Sequence, residues 1–210
     1  FFIFRFYFLL VFFSLKLNKG VPMIDIVLDV IKNEIDTFMK LKMKDTREQY
    51  IHLAPVIDQE GKSSVSENTI CMSMVKIEED KINTPVGVPI EPKPPVKLDL
   101  YILFSASCSD GQEKNYKEAL KRISLVIAFF QSKNTFTSAN TPLLDPSVGR
   151  ISAELLNMGM EEQNNLWSML GGMYRPSVMY IFRALMIREI QPGDSEGLVL
   201  EKNIELGEKE

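Results

Sequence analysis

Val96-Lys-Leu-Asp-Leu-Tyr-Ile-Leu-Phe-Ser-Ala106 decides how the rest of the chain is read. Val96, Leu98, Leu100, Ile102, Phe104 and Ala106 recur at every second position, the period of an extended strand, and share one side. Lys97 and Asp99 hold the other side, which turns apolar at Tyr101 and Leu103. The pattern predicts a strand that starts with one solvated face and ends buried on both. Such a strand belongs inside a sheet with cover on each side.

Downstream, Cys108-Ser-Asp-Gly111 breaks the strand and the period changes. Tyr116, Ala119, Leu120, Ile123, Val126, Ile127 and Phe130 form one stripe of a helix over 112–133. A loop over 134–149 follows, then a strand over 150–157 and a short helix over 160–170. Gly171-Gly172 ends that helix, because glycine accepts the left-handed backbone of a helix terminus. The run 177–190 is nearly continuous in apolar residues and is broken only by Arg183 and Arg188, which reads as a central strand. Upstream, Val27, Val30, Ile31, Ile35, Phe38 and Met39 mark an amphipathic helix over 23–43. Strands are expected at 50–57 and 69–77. Pro85, Pro89, Pro92, Pro94 and Pro95 make 83–95 an extended connection between two strands, since each proline removes a ladder donor. The expected fold is α+β: a single domain with a mixed, mainly antiparallel β-sheet packed with two longer helices and one short helix.

The 210 residues carry 24 Lys+Arg and 28 Asp+Glu, with 45% hydrophobic content. These proportions suit one globular domain and exclude a collagen-like, wholly disordered or polytopic membrane chain. The averages conceal two unusual ends. Residues 1–22 are Phe-rich and hold Arg5, Lys16 and Lys19 but no acid. The apolar run is too short to span a bilayer and lacks a small-residue cleavage site, so it reads as non-native upstream sequence or a leader. Residues 23–190 form the expected domain, and 191–210 an acidic, flexible tail. Val199, Ile204 and Leu206 could let that tail add as a strand to a partner.

Catalytic chemistry is missing from the inventory. His52 is the sole imidazole and sits in the apolar context Tyr50-Ile51-His52-Leu53. Cys71 and Cys108 lie on or beside strands, where thiols behave as small apolar side chains. No phosphate-binding loop is present: Gly171-Gly172 has no Lys-Ser or Lys-Thr after it. Glu78-Glu79-Asp80 reads as a solvated strand end, and Glu161-Glu162 as carboxylates favouring a helix start. Dispersed basic residues and a pI of 5.3 exclude a nucleic-acid track. No enzyme, metal site or cofactor is expected.

Three separated blocks carry more information. They are Leu100-Tyr-Ile-Leu-Phe-Ser-Ala-Ser107 with Asn115-Tyr-Lys-Glu-Ala-Leu120; Ile127-Ala-Phe-Phe-Gln131 with Phe136-Thr137 and Asn140-Thr-Pro-Leu143; and Asn165-Leu-Trp-Ser-Met-Leu-Gly171 with Tyr174-Arg-Pro-Ser-Val178, Tyr180 and Arg183. In this order and spacing they resemble the N-terminal domain of the cap, or tail-terminator-like, proteins of phage-tail-like contractile injection systems of the virulence-cassette and antifeeding-prophage type. The resemblance runs from Met23 to about Ile190.

The resemblance implies a tail-terminator-like fold and a structural role. Such caps form a six-fold ring on the distal end of the inner tube, stop its growth and engage the last sheath layer. The implied partners are further copies of the chain, the tube protein and the sheath protein, with neither nucleic acid nor membrane among them. Assembly is expected in the cytoplasm, followed by life in a released or cell-retained particle. The alternative is a membrane-associated adaptor that docks the particle through the apolar N-terminus. Longer caps carry further segments for the sheath; here the acidic tail or another subunit takes that part. Candidate interface residues are Phe136, Asn140, Pro142, Leu143, Tyr174, Arg175 and Arg183, the first four on the loop 134–149. Trp167, Gly171, Pro176 and Tyr180 are expected to be structural. A charge on an apolar strand needs a partner, and Asp99 is the candidate for Arg183.

Overall fold

Helix α1 (Ile24–Lys42) is the first described element of the computed structural model, which describes residues 24–43, 47–80, 96–108 and 112–187. Val27, Leu28, Val30, Ile31, Ile35 and Met39 all point inward, and Asp25 in the first turn and Lys40 and Lys42 in the last complement the helix dipole. The leader, the proline run and the acidic tail expected from sequence lie outside the described residues.

Strand β1 (Ile51–Leu53) is tied to α1 by one buried carboxylate. Asp36 accepts the Tyr50 N–H at 2.6 Å and faces Lys40 at 2.7 Å, so its charge is compensated on both sides. β1 is shorter than the expected 50–57, because the chain leaves the sheet at Ala54 and Ile57 makes only an isolated bridge to Ser63. β2 (Ile70–Glu79), β3 (Val96–Ala106), β5 (Ile151–Leu156) and β6 (Ser177–Ile187) follow the sequence reading. β4 (Thr135–Phe136) was not expected: the 134–149 loop starts with two residues that pair with β5 and contains a 3-10 turn at Pro146–Val148. Asp145 caps that turn by accepting the Ser147 N–H at 2.8 Å.

The described strands make a single six-stranded sheet in the order β1-β2-β3-β6-β5-β4. Only β1–β2 is parallel; every other pairing is antiparallel. β3 and β6 therefore sit side by side in the centre, as the two most apolar stretches require. The burial of β3 rises along its length from exposed Val96 to fully buried Phe104.

Helices α1 and α2 (Glu113–Ser132) share one face of the sheet and build the main core on it. Its centre is aromatic. Phe130 lies 4.2 Å from Tyr180 and 5.6 Å from Phe104 between ring centroids, and Phe129 and Phe136 close the cluster. Two members of the expected α2 stripe depart from it: Tyr116 and Leu120 are exposed, while Phe129 and Arg122 are buried. The stripe faces the sheet only along the line Ala119, Ile123, Val126 and Phe130, so residues a turn to the side are left in solvent.

Helix α3 (Met160–Met169) covers part of the opposite face. Trp167 inserts among Val56, Leu103 and Met179, as a core anchor would. Gly171 ends the helix at φ +70°, where a Cβ would also come to 3.2 Å from Ile57. Truncating the centre of the main core tests this packing: Phe104→Ala should lower unfolding stability by about 3–5 kcal/mol, read from urea denaturation.

Candidate functional site

Helices α1 and α2 cover the centre of one face of the sheet, and α3 covers only one end of the other. Beyond Leu103 and Met179, the residues on that second face turn from apolar to charged: Tyr101 and Asp99 on β3, Ile181 and Arg183 on β6, Glu154 on β5, and Lys76 and Glu78 on β2. Strand pairing places Glu78 opposite Asp99 and Ser152 opposite Arg183, which gathers these groups across four strands.

Arg183 is the hub. Its Nε donates to Glu154 at 2.7 Å and its Nη1 to Asp99 at 2.7 Å. The Asp99 partner expected from sequence is thus in place, and Glu154 is a second carboxylate that sequence order conceals, since β5 becomes a neighbour of β6 only in the fold. Hydrogen bonding to Glu154 leads the effects that raise the Arg183 pKa further, so the guanidinium stays charged. On the β2 side Tyr101 donates its hydroxyl hydrogen to Glu78, which also pairs with Lys76. The Lys76 ammonium stands 4.9 Å from the Tyr101 ring centroid. The Lys76 hydrogen bond holds Glu78 below the usual carboxylate range, and the Glu78 contact pushes the Tyr101 phenol up. The surface is polar, satisfied within itself and uncovered by any described element.

The sequence-derived candidates divide between the two faces. On the loop, Lys133 donates to Glu34 at 2.6 Å, to the Asn140 carbonyl at 2.8 Å and to Thr141 Oγ1 at 2.9 Å. The Asn140 side chain accepts the Thr137 N–H and donates to the Thr135 carbonyl, both at 2.9 Å, so it shapes the loop. Pro142 and Leu143 are left at its exposed tip, Leu143 at 59%. Phe136 is corrected from interface to core: it is fully buried against Phe129 and Phe130 and offers no surface. Leu144 and Val148 root the loop in the main core on the helix-bearing side.

Tyr174 and Arg175 belong to the α3 side. Tyr174 is exposed and meets Trp167 edge-on at 5.9 Å. Arg175 donates to Ser63 Oγ at 2.9 Å. Met169 and Met173 extend the exposed apolar rim beside them, a feature the sequence reading passed over. Pro176 precedes β6 and its carbonyl accepts the Ala106 N–H at 2.9 Å, while Tyr180 is buried. The seven interface candidates therefore form no single site.

No described group assembles as a catalytic set. His52 lines an open polar recess of about 570 Å³ with Asp36, Lys40 and Arg47. Its register partner is Cys71, but that thiol turns toward the Ala54 and Pro55 carbonyls and Ser73. Burial pushes the Cys71 thiol up, which disfavours a thiolate. Cys71 and Cys108 are not bridged. Among the described residues no group of three or more His, Cys, Asp or Glu could hold a metal ion, and no helix is long and apolar enough to cross a membrane.

Residues 26–201 match the family model described as the Pvc16 N-terminal domain. The chain belongs to that family. The resemblance carried by the three sequence blocks is borne out. The solved sheath/tube terminator of an extracellular contractile injection system (PVC), in its extended state, has the same fold. It matches with a TM-score of 0.51 at 14% identity, over 81% of this chain and 58% of that one. The anti-feeding prophage cap, the AFP tube-terminating cap, gives 0.48 at 15% identity over 77% of this chain and 55% of that one. The Pvc16-family chain thus spans little more than half the length of the terminator it matches. A comparison with curated proteins finds no match. The α+β domain of this chain is a tail-terminator-like fold.

Two measurements follow from the charged face. Arg183→Met leaves Asp99 and Glu154 without their shared cation and should cost about 1 kcal/mol, because the network is partly solvated. The Tyr101 phenol should titrate above its ordinary value of about 10 in ring-carbon NMR. Its raised folded value means that its contribution to stability is complete below that pH and fades as pH climbs through the folded pKa. Glu78→Gln should bring the phenol back down; an unmoved titration would remove the Glu78 contact as the cause.

Proposed function

We propose that this protein is a structural cap, or terminator, of a contractile injection particle. In this reading it forms a ring on the distal end of the inner tube, stops tube growth and engages the last sheath layer. Membership of the Pvc16 N-terminal domain family carries the reading, and the fold shared with a sheath/tube terminator supports it. The chemistry agrees with a part that binds without reacting. The charged face satisfies itself through Arg183 and Glu78, and the apolar groups Leu143, Met169, Met173 and Tyr174 are left exposed beside it or on the loop 134–149. A ring of identical subunits needs a head-to-tail interface that closes by rotation, and six copies is the number the family resemblance implies.

The non-enzymatic role, the tube and sheath as partners and assembly in the cytoplasm belong to the same proposal. The terminator likeness favours it over an adaptor held at a membrane. Light scattering coupled to size exclusion should give a closed multimer, and electron micrographs a ring. Added to polymerising tube protein, that multimer should cap ends and shorten the tubes. A monomer that leaves tube length unchanged would sink the proposal.

A further inference from the structure

Only the first part of the outer edge of β2 is covered. β1 pairs with Ile70, Cys71 and Met72, and from Ser73 to Glu79 no described strand lies beside β2. The backbone directions there follow from bonds already made. Ile70 donates outward to the Tyr50 carbonyl and Met72 accepts outward from Ala54, so Met74 also directs its backbone outward. Beyond the bulge at Met74/Lys76, Asp80 donates inward to Lys97 at 2.9 Å, which turns Ile77 and Glu79 outward by alternation.

The side chains along this stretch are apolar and stand partly in solvent. Met74 lies opposite Ile102 and Ile77 opposite Leu100, two residues of the main core, so both belong to the helix-bearing face. They are 41% and 44% exposed, whereas Ile70 and Met72 on the covered stretch are fully buried. An apolar edge with outward backbone groups is a template for a further strand.

The chain itself supplies one. The family model matches through residue 201, so 188–201 belong to the family domain although the described part of β6 ends at Ile187. Past the turn pair Pro192-Gly193, Leu198, Leu200, Ile204 and Leu206 recur at even positions, interrupted only by Lys202. Val199 apart, the odd positions are polar: Glu201, Asn203 and Glu205. That is the period of a strand with one face buried and the other in water. The exit point fits as well. Val96 pairs with Ile187 and Glu79 with Leu98, so β6 and β2 end at the same margin of the sheet and run in the same direction. A chain that leaves β6 and turns back therefore travels antiparallel to β2, from Glu79 toward Met74. A strand outside β2 lies three strand spacings from β6, roughly 14 Å, and residues 188–197 span up to roughly 33 Å when extended.

We propose that residues 198–206 add as a further strand to this stretch of β2, antiparallel to it and in the same chain. The occupant of the edge is the C-terminal segment. Its even-numbered apolar side chains cover Met74 and Ile77, and its backbone gives the outward groups of β2 their partners. Its polar positions fall on the opposite, wet face. The fourth strand of a Greek key returns to its first in the same way. Seated there, the segment makes β2 an internal strand and ends sheet growth at that margin. The contacts of the ring proposed above then lie on other surfaces, and the inference does not depend on that ring.

Hydrogen exchange on the full chain tests it. The Met74 and Ile77 amides point away from β3, so without a strand beyond them they exchange nearly as fast as a free peptide. With the segment in place they should exchange roughly a hundredfold more slowly. Leu200→Asp combined with Ile204→Asp should abolish that protection while the β3 amides keep theirs, which separates undocking from unfolding. Fast exchange in the wild-type chain overturns the proposal. So does protection that survives the double variant, because the edge then belongs to another segment. Covalent pairing decides whose segment it is. Cys71 is buried, so Ile77→Cys with Leu200→Cys in a Cys108→Ser background offers two reactive thiols. A bismaleimide should join them within one chain, at monomer mass on a denaturing gel. A ladder of linked chains, or no link at all, would rule out docking within the same chain.

Discussion

The antiparallel pairing of β3 with β6 is the constraint on which the rest of the molecule depends. The two strands share a register from Val96↔Ile187 to Ser105↔Ser177 and are the sheet's central pair. Their helix-bearing face supplies Leu100, Ile102, Phe104, Tyr180, Phe182 and Leu185 to the main core, and Phe130 from α2 packs on its aromatic centre. Their other face supplies Leu103 and Met179 to Trp167. Both helical layers are thus seated on the same two strands. The ladder that joins those strands also sets which groups can meet at the surface.

One irregularity in that ladder has chemical consequences. The register shifts between Leu98 and Leu100, where β6 contributes an extra residue. Asp99 and Arg183 lie at this step on the second face and bond across it at 2.7 Å. A bulge re-aims side chains and deepens local twist, so it suits a place where a cation must reach carboxylates on both neighbouring strands. A second bulge, at Met74/Lys76 on β2, turns Lys76 toward Tyr101 and Glu78. Both interruptions fall where the sheet leaves its apolar centre and meets water.

Much of this was legible from the chain. Period two in 96–106 and the apolar run from Ser177 identified the central strands, since burial on two faces leaves no room for polar alternation. The helix stripes, the glycine stop at Gly171 and the anchor role of Trp167 follow from local chemistry in the same way. Phe136 was misread as surface because its loop context carries no period; only its partners Phe129 and Phe130 show that it belongs inside. Tyr116 and Leu120 were misread in the opposite sense, because a stripe says which face is apolar and not how far a sheet extends beneath it.

Sequence alone determined the α+β class, the order of the three helices and of five of the six described strands, and the likeness to injection-particle caps. These rest on residue type and short-range spacing, which are written in the chain. Tertiary structure decided the sheet order, the joining of Glu154 to Arg183 and Asp99, and the division of the interface candidates between two faces. Those depend on which strands become neighbours. Contacts between residues 29 or 84 positions apart leave no periodic trace in either segment, so only the closed sheet reveals them.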